Sequence, residues 1–223
     1  MFKRLYRAAV PGVIRSSGVV STLKSRVLPR SWIYDKDFFR DSVEEPATRS
    51  AATIAASITQ VFAPRSAVDV GCGTGALLEA LRESGCQVHG LEYADAALEY
   101  CRQRHLDVVK FDLKRDVYRS DRSFDVAVSL EVAEHLPEKS AGRYLDLLSA
   151  VSPVVIFTAA RPGQGGAGHL NEQPAEYWIA RFRERGFEHL AEPSALWRES
   201  WRVSGRVESW YYENLMIFRR ERS

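Results

Sequence analysis

Three glycines within five residues follow an aspartate in Asp69-Val70-Gly71-Cys72-Gly73-Thr74-Gly75. The residues before this run are apolar, and those after it have helical spacing, so it joins a strand to a helix. Glycine at such a junction permits positive φ and lets a ligand approach the backbone closely. Gly71-x-Gly73-x-x-Ala76 also meets the relaxed dinucleotide-binding fingerprint. Glu92 stands 17 residues after Gly75, at the end of a second apolar run. A carboxylate there can accept both hydroxyls of a ribose. Asp112, past a third run, is placed to accept from an adenine amino group. These residues suit a nucleotide-bearing ligand without choosing among such ligands.

A second constellation follows a fourth apolar run. Glu131-Val132-Ala133-Glu134-His135 puts two carboxylates and an imidazole just past a strand end. His135 is a candidate general base, because an unperturbed imidazole titrates near pH 6.5. The plainer alternative is that Glu131 and His135 only brace the loop. His169 lies 34 residues beyond His135, in a loop from Arg161 to Asn171 that carries four glycines. That loop reads as a mobile flap or as a simple connector. The polar run from His169 to Gln173 precedes Tyr177 and Trp178. Hydrogen-bonding groups beside aromatic faces suit a polar ring such as a sugar, although Trp178 reads equally as core.

The spacing of apolar and breaker residues gives the elements that must hold these groups. Asp41 or Ser42 is expected to cap a helix reaching about Val61, with Glu44, Glu45 and Pro46 in its first turn. Strands are expected at Ser66–Val70, Gln87–Leu91, Asp107–Phe111, Phe124–Leu130 and Val154–Thr158. Between them come helices over about Ala76–Ser84, Ala96–Arg104 with Asp95 as cap, and Pro137–Val151. A helix from Pro174 ends at Gly186. Two aromatic-rich strands, near Phe187–Trp197 and Trp210–Arg219, close the chain, with Ser200–Trp210 as an exposed hairpin tip. Strand–helix alternation of this kind implies right-handed βαβ units. The expected fold is an α/β, doubly wound, Rossmann-like sheet of seven mostly parallel strands with helices on both faces. Ligands of such sheets bind at the carboxyl ends of the strands, where both constellations fall.

The chain has 223 residues, 45% hydrophobic and 27% charged, enough for one α/β domain with a sizeable core. No apolar run approaches the roughly 20 residues needed to span a bilayer. The three cysteines, Cys72, Cys86 and Cys101, form no CxxC, which argues against a disulfide framework or zinc knuckle and for a reducing, cytoplasmic setting. Charge is uneven. Residues 1–34 hold seven basic side chains and no acid, and the rest holds 24 basic against 29 acidic. We therefore divide the chain into a basic arm over 1–40 and a catalytic-type domain over 41–223. The arm reads as a solvated tail, as a helical lid over the site, or as a patch for a membrane surface or anionic partner. It lacks the continuous apolar core of a signal peptide.

Taken together, the runs DVGCGTG, GLEYAD, KFDL and FDVAVSLEVAEHLP resemble the class I S-adenosylmethionine-dependent methyltransferases over roughly residues 45–160. The resemblance implies a role for each matching position. Asp69 lies near the methionine end of the cofactor, and Gly71, Cys72, Gly73 and Gly75 pass beneath it. Glu92 holds the ribose, with Tyr93 beside it in place of the small residue often found there. Asp112 and Leu113 meet the adenine, and Ser129, Leu130 and Glu131 line the methyl-donor end. The ExxEH run is similar to that of small-molecule methyltransferases acting on quinones, glycans and natural products. The expected acceptor is thus a hydroxyl or amine of a small polar molecule. With His169 added, the set Glu131, Glu134, His135 and His169 also resembles the metal-binding set of small-RNA 2′-O-methyltransferases, implying a divalent ion. That alternative activity draws on the basic arm as well. Against a nucleic-acid partner stand the acidic body and the lack of a recognised RNA-binding module. A nicotinamide-dependent oxidoreductase would need a Tyr–Lys or similar catalytic set, which is not found.

Overall fold

The computed structural model describes residues 33–119 and 122–221. Seven strands form one sheet in the order β3-β2-β1-β4-β5-β7-β6. They are β1 (Ser66–Val70), β2 (Gln87–Glu92), β3 (Val108–Lys110), β4 (Val126–Leu130), β5 (Val154–Thr158), β6 (Phe187–His189) and β7 (Met216–Arg220). The first five pair in parallel, and β7 runs antiparallel between β5 and β6. The chain winds outward to β3, then returns to β4 on the other side of β1. The order therefore reverses between β1 and β4, which opens a crevice at their carboxyl ends.

Alternation along the central strands explains why both faces are covered. Val68, Ala127, Val155 and Phe157 face one apolar layer, with Tyr144, Leu145 and Leu148 of α4 (Glu138–Val151) and Trp178 and Phe182 of α5 (Ala175–Arg183). Ala67, Val126, Val128 and Ile156 face the other layer. There they meet Ile54 and Ile58 of α1 (Glu44–Phe62), Leu77 and Leu81 of α2 (Ala76–Glu83), and Trp197 and Trp201 of α6 (Ala191–Ser204). A strand covered on both sides favours a near-continuous apolar run, and β4 and β5 have one, broken only by the buried hydroxyls of Ser129 and Thr158. The remaining helices are α3 (Asp95–Gln103) and α7 (Ser209–Asn214). No helix among the described residues is long and apolar enough to cross a membrane.

Three local expectations are corrected. Neither Asp41 nor Ser42 caps α1. A short α-helical turn (Lys36–Phe38) and a π-helical turn (Phe39–Val43) run into it, and Asp41 pairs with Arg40 instead. Asp95 is inside α3, uncapped, because its carboxylate is drawn to Lys110 of β3 at 2.6 Å. The largest change is at the C-terminus. The stretch after His189 is helical rather than extended, and no hairpin tip exists at 200–210. Trp197 and Trp201 are four residues apart, which puts both on one helix face, and the Trp201 indole donates to Ser57 Oγ at 2.8 Å. Glu192 and Pro193 in the first turn and Gly205 at the end are helix signals that the aromatic content masked.

All seven basic side chains of residues 1–34 precede residue 33, so the tail and anionic-partner readings fall outside the described residues. From Tyr34 onward the segment lies on the body. Phe39 is buried with Ala94 and Ala97.

Candidate active site

A cleft of about 590 Å³ opens at the carboxyl ends of β1, β2 and β4, within the range of small-molecule sites. One half is built from the glycine loop and the ends of β2 and β3. The loop is fixed by Leu91, whose carbonyl accepts from the amides of Gly71 at 2.8 Å and Cys72 at 3.2 Å. Gly71 has φ +83°, and a β-carbon there would stand 2.5 Å from Val132 Cγ2. Only glycine satisfies both the turn and the close approach. The Glu92 carboxylate accepts from the amides of Gly73 at 2.9 Å and Ala94 at 2.6 Å. Burial pushes this carboxyl up, and those amides partly offset the effect. Asp69 sits next to it. Burial, and then the Glu92 charge, push Asp69 up to about 8. Two buried acids side by side are costly unless a cation or donor-rich ligand joins them.

Asp112, Leu113 and Tyr93 border the same half. Asp112 Oδ1 accepts from the Lys114 amide at 3.0 Å, which fixes the carboxylate toward the cleft mouth. Tyr93 is half-exposed at the rim, with the Lys114 ammonium 5.8 Å from its ring. Two of the expected residues stand back from the cleft. Gly75 borders Leu106 and Cys101 instead. Ser129 is fully buried, donating to Val70 O at 2.5 Å and accepting from Tyr144 at 2.6 Å. It ties β1 to β4 and α4, since side chains alternate along a strand and Leu130 takes the cleft-facing position.

The other half is assembled from distant segments. Glu131 has φ +55°, rare for a non-glycine residue. Its amide donates to Thr158 Oγ1 at 2.9 Å, and its carboxylate accepts from Asn214 at 3.1 Å and Gln164 at 3.2 Å. Glu134 is fully buried, and neither of its carboxylate oxygens is met by a hydrogen-bond donor among the described residues. Burial and then the nearby Glu131 charge push it well above the usual carboxylate range. Its backbone carbonyl accepts from Leu170 at 2.7 Å and Asn171 at 3.0 Å, anchoring the end of the glycine-rich loop. The His135 and His169 rings meet edge-on at 5.0 Å. His135 Nδ1 is 3.0 Å from the Tyr34 hydroxyl, and His169 Nδ1 is 2.7 Å from Glu172 Oε1. Glu172 also accepts from the amides of Gly163 at 2.8 Å and Gly165 at 2.7 Å. Burial raises its carboxyl, but His169 and these amides outweigh that and hold it below its ordinary value.

Glu134, His135 and His169 each offer a metal-ligand atom, all within 4.8 Å of one another. Glu131, the fourth member of the expected set, stands outside this group because Asn214 and Gln164 take its carboxylate. The Glu134 carboxylate and the two adjacent imidazoles form a donor set that suits a divalent cation. Trp178 is buried core, 5.4 Å from the Phe157 ring. Trp210 and Tyr211 line the cleft instead, with Tyr34, Phe38 and Phe39 from the N-terminal segment. Sequence reasoning missed Tyr34 and Asn214 because no local pattern ties either to a loop more than 80 residues away. Glu172 carried a weak signal as an acid beside a histidine in a glycine-rich loop.

Residues 68–147 match a family model described as a methyltransferase domain. Over 86 residues the chain is 34% identical to the ubiquinone biosynthesis O-methyltransferase of Methylococcus capsulatus, covering 36% of each chain. The match thus spans about a third of the length of that relative. The structure is similar to the sugar N-methyltransferase KedS8 from Streptoalloteichus, with TM-score 0.61 and 17% identity, covering 83% of this chain and 92% of that one. It is also similar to the amino pentose methyltransferase CalS10 from Micromonospora echinaspora, with TM-score 0.60 and 18% identity, covering 80% and 93%. At these identities the structural likeness speaks for the fold.

Proposed function

We propose, from the premise that the chain belongs to the class I S-adenosylmethionine-dependent methyltransferase superfamily, that it methylates a hydroxyl, or an amine, of a small polar acceptor such as a sugar or secondary metabolite. One observation carries this reading. A single cleft is bordered on one side by the glycine loop with Asp69 and Glu92, and on the other by Glu131, Glu134, His135 and His169. Donor and acceptor chemistry therefore share one enclosure.

The donor half fits adenosylmethionine. Gly71 allows the loop to pass against Val132 where a β-carbon would collide, Glu92 is braced as an acceptor, and Asp69 is a buried acid suited to a cationic amino-acid end. When bound, that cofactor supplies a methyl group already activated on a sulfonium. The chain must then align the acceptor, exclude water and take a proton from a hydroxyl. Alignment contributes up to roughly 7–11 kcal/mol, and a general base about 10²–10⁴-fold. Leu130 and Glu131 border the cleft at the β4 end. The glycine-rich loop and the segment from Tyr34 to Ala47 close it from above. In the absence of a cation, His135 on the cleft wall is the proton acceptor of this reading. A divalent cation held by Glu134, His135 and His169 would lower the acceptor hydroxyl's pKa, leaving Glu131 as proton acceptor.

The relatives support a small-molecule acceptor, since their names point to a quinone precursor pathway and to sugars. The acidic body disfavours the RNA reading. Calorimetric titration with adenosylhomocysteine and with NAD tests the donor side. Tight binding of NAD alone would overturn the reading. Methyl transfer from labelled adenosylmethionine to catechols, amino sugars and short RNA, with and without chelator, tests the acceptor side. Chelator-sensitive activity restored by Mg²⁺, Mn²⁺ or Co²⁺ would establish the cation, and full activity in excess chelator would remove it.

A further inference from the structure

We infer that Tyr34 is a positioning residue for His135, delivered by the N-terminal segment as that segment covers the cleft. The inference rests on the proposed role of His135 at the acceptor side. Tyr34 and His135 are 101 residues apart, yet the phenol oxygen lies 3.0 Å from His135 Nδ1 and the rings stack edge-on at 5.7 Å. The contact is braced from its own side. Asp35 caps the following turn through Phe38 N at 3.0 Å, and Phe38 packs edge-on against Tyr34 at 5.4 Å. Phe38 in turn meets Phe39, which is buried against Ala94 and Ala97.

The glycine-rich loop carries an independent sign of the same contact. Gly168 has φ +85°, and a β-carbon there would collide with the Tyr34 hydroxyl and stand 3.5 Å from His135 Nδ1. Three segments, around residues 34, 135 and 168, therefore close on one point, and position 168 is hollowed to admit the phenol.

The chemistry follows from which ring nitrogen is used. With His135 Nδ1–H donating to the Tyr34 oxygen, Nε2 keeps its lone pair, whether to take a proton or to hold a cation. Without the phenol, the imidazole loses this restraint on its orientation and tautomer. Covering the cleft and readying His135 thus become one event, so His135 is set for chemistry only when water is excluded.

The test uses the full chain with adenosylhomocysteine bound and histidine labelled with nitrogen-15. In the unsubstituted protein His135 is expected as the Nδ1–H tautomer, assigned by its loss in His135→Gln. Tyr34→Phe keeps the ring and removes only the hydroxyl. It is expected to shift the His135 nitrogens toward a tautomer mixture and to lower kcat roughly 10–100-fold. The KM for adenosylmethionine should stay within about twofold, the split expected of a group acting on the acceptor side. Gly168→Ala should also lower kcat, but by less in the Tyr34→Phe background, where no hydroxyl remains to collide. Unchanged His135 resonances in Tyr34→Phe, or an equal cost of Gly168→Ala in both backgrounds, would overturn the inference. If no tested acceptor is methylated by the unsubstituted protein, the proposed function fails, while the resonances still decide the role of Tyr34.

Discussion

The two halves of the cleft are built by different rules. The donor half uses backbone groups of one loop and the ends of adjacent parallel strands, all within residues 69–113. Its acids are held by amides, as Glu92 is by Gly73 and Ala94. The acceptor half brings together residues 34, 131–135, 164–172 and 209–214, and its Glu131 is held by side chains from two other segments, Asn214 and Gln164. A half made of local backbone has few ways to vary. A half made of four independent segments can change its acceptor by changing any one of them. That difference is one physical reason why members of a fold keep a donor and differ in acceptor.

The largest effects expected of this division lie on the acceptor side. Glu134→Gln and His169→Ala should each lower methyl transfer by roughly 10²–10⁴-fold. Adenosylhomocysteine binding, read by calorimetry, should stay within about threefold. An equal loss of binding would show that the halves are not separable. Next comes Glu172→Gln, which weakens the carboxylate that holds His169 and two amides of the glycine-rich loop. Activity should fall roughly 10–100-fold, with faster amide exchange confined to residues 161–172. Exchange that spreads into β4 would mean the loop is not an independent unit.

On the donor side, Gly71→Ala places a side chain at positive φ, costing about 1–2 kcal/mol, and presses on Val132. Adenosylhomocysteine affinity should fall roughly 5–30-fold, and acceptor KM should rise as well, because Val132 belongs to the acceptor loop. A donor-only effect would sharpen the separation. The smallest effect is a pH dependence. Burial and Glu92 raise Asp69 to about 8, so the folded protein holds this proton where the unfolded chain has lost it. The resulting stabilisation is present below about pH 4 and is lost as pH rises toward 8. A cationic ligand favours the ionised form. Affinity should therefore rise with pH up to about 8, by at most roughly tenfold per unit. Asp69→Asn should flatten the profile between pH 6 and 8.

Much of this protein was legible in the residues themselves. Strand and helix periods placed β1, β2, β4 and β5 nearly to the residue, most plainly at β4 and β5, whose burial on both faces leaves nearly continuous apolar runs. The gathering of Asp69, Gly71, Gly73, Glu92 and Asp112 at one end of the sheet followed from their positions at the ends of expected strands. Tertiary structure decided the rest. It made the C-terminal aromatic stretch a helix, since packing against α1 and β7 put Trp197 and Trp201 on one helix face, where the aromatic content had masked the signals of Glu192, Pro193 and Gly205. It turned Ser129 away from the cleft and left Glu131 outside the Glu134–His135–His169 group, because Asn214 and Gln164 claim its carboxylate. It also set Tyr34 against His135. Local sequence encodes local backbone, whereas contacts across 80 or 100 residues exist only once the sheet has brought those segments together.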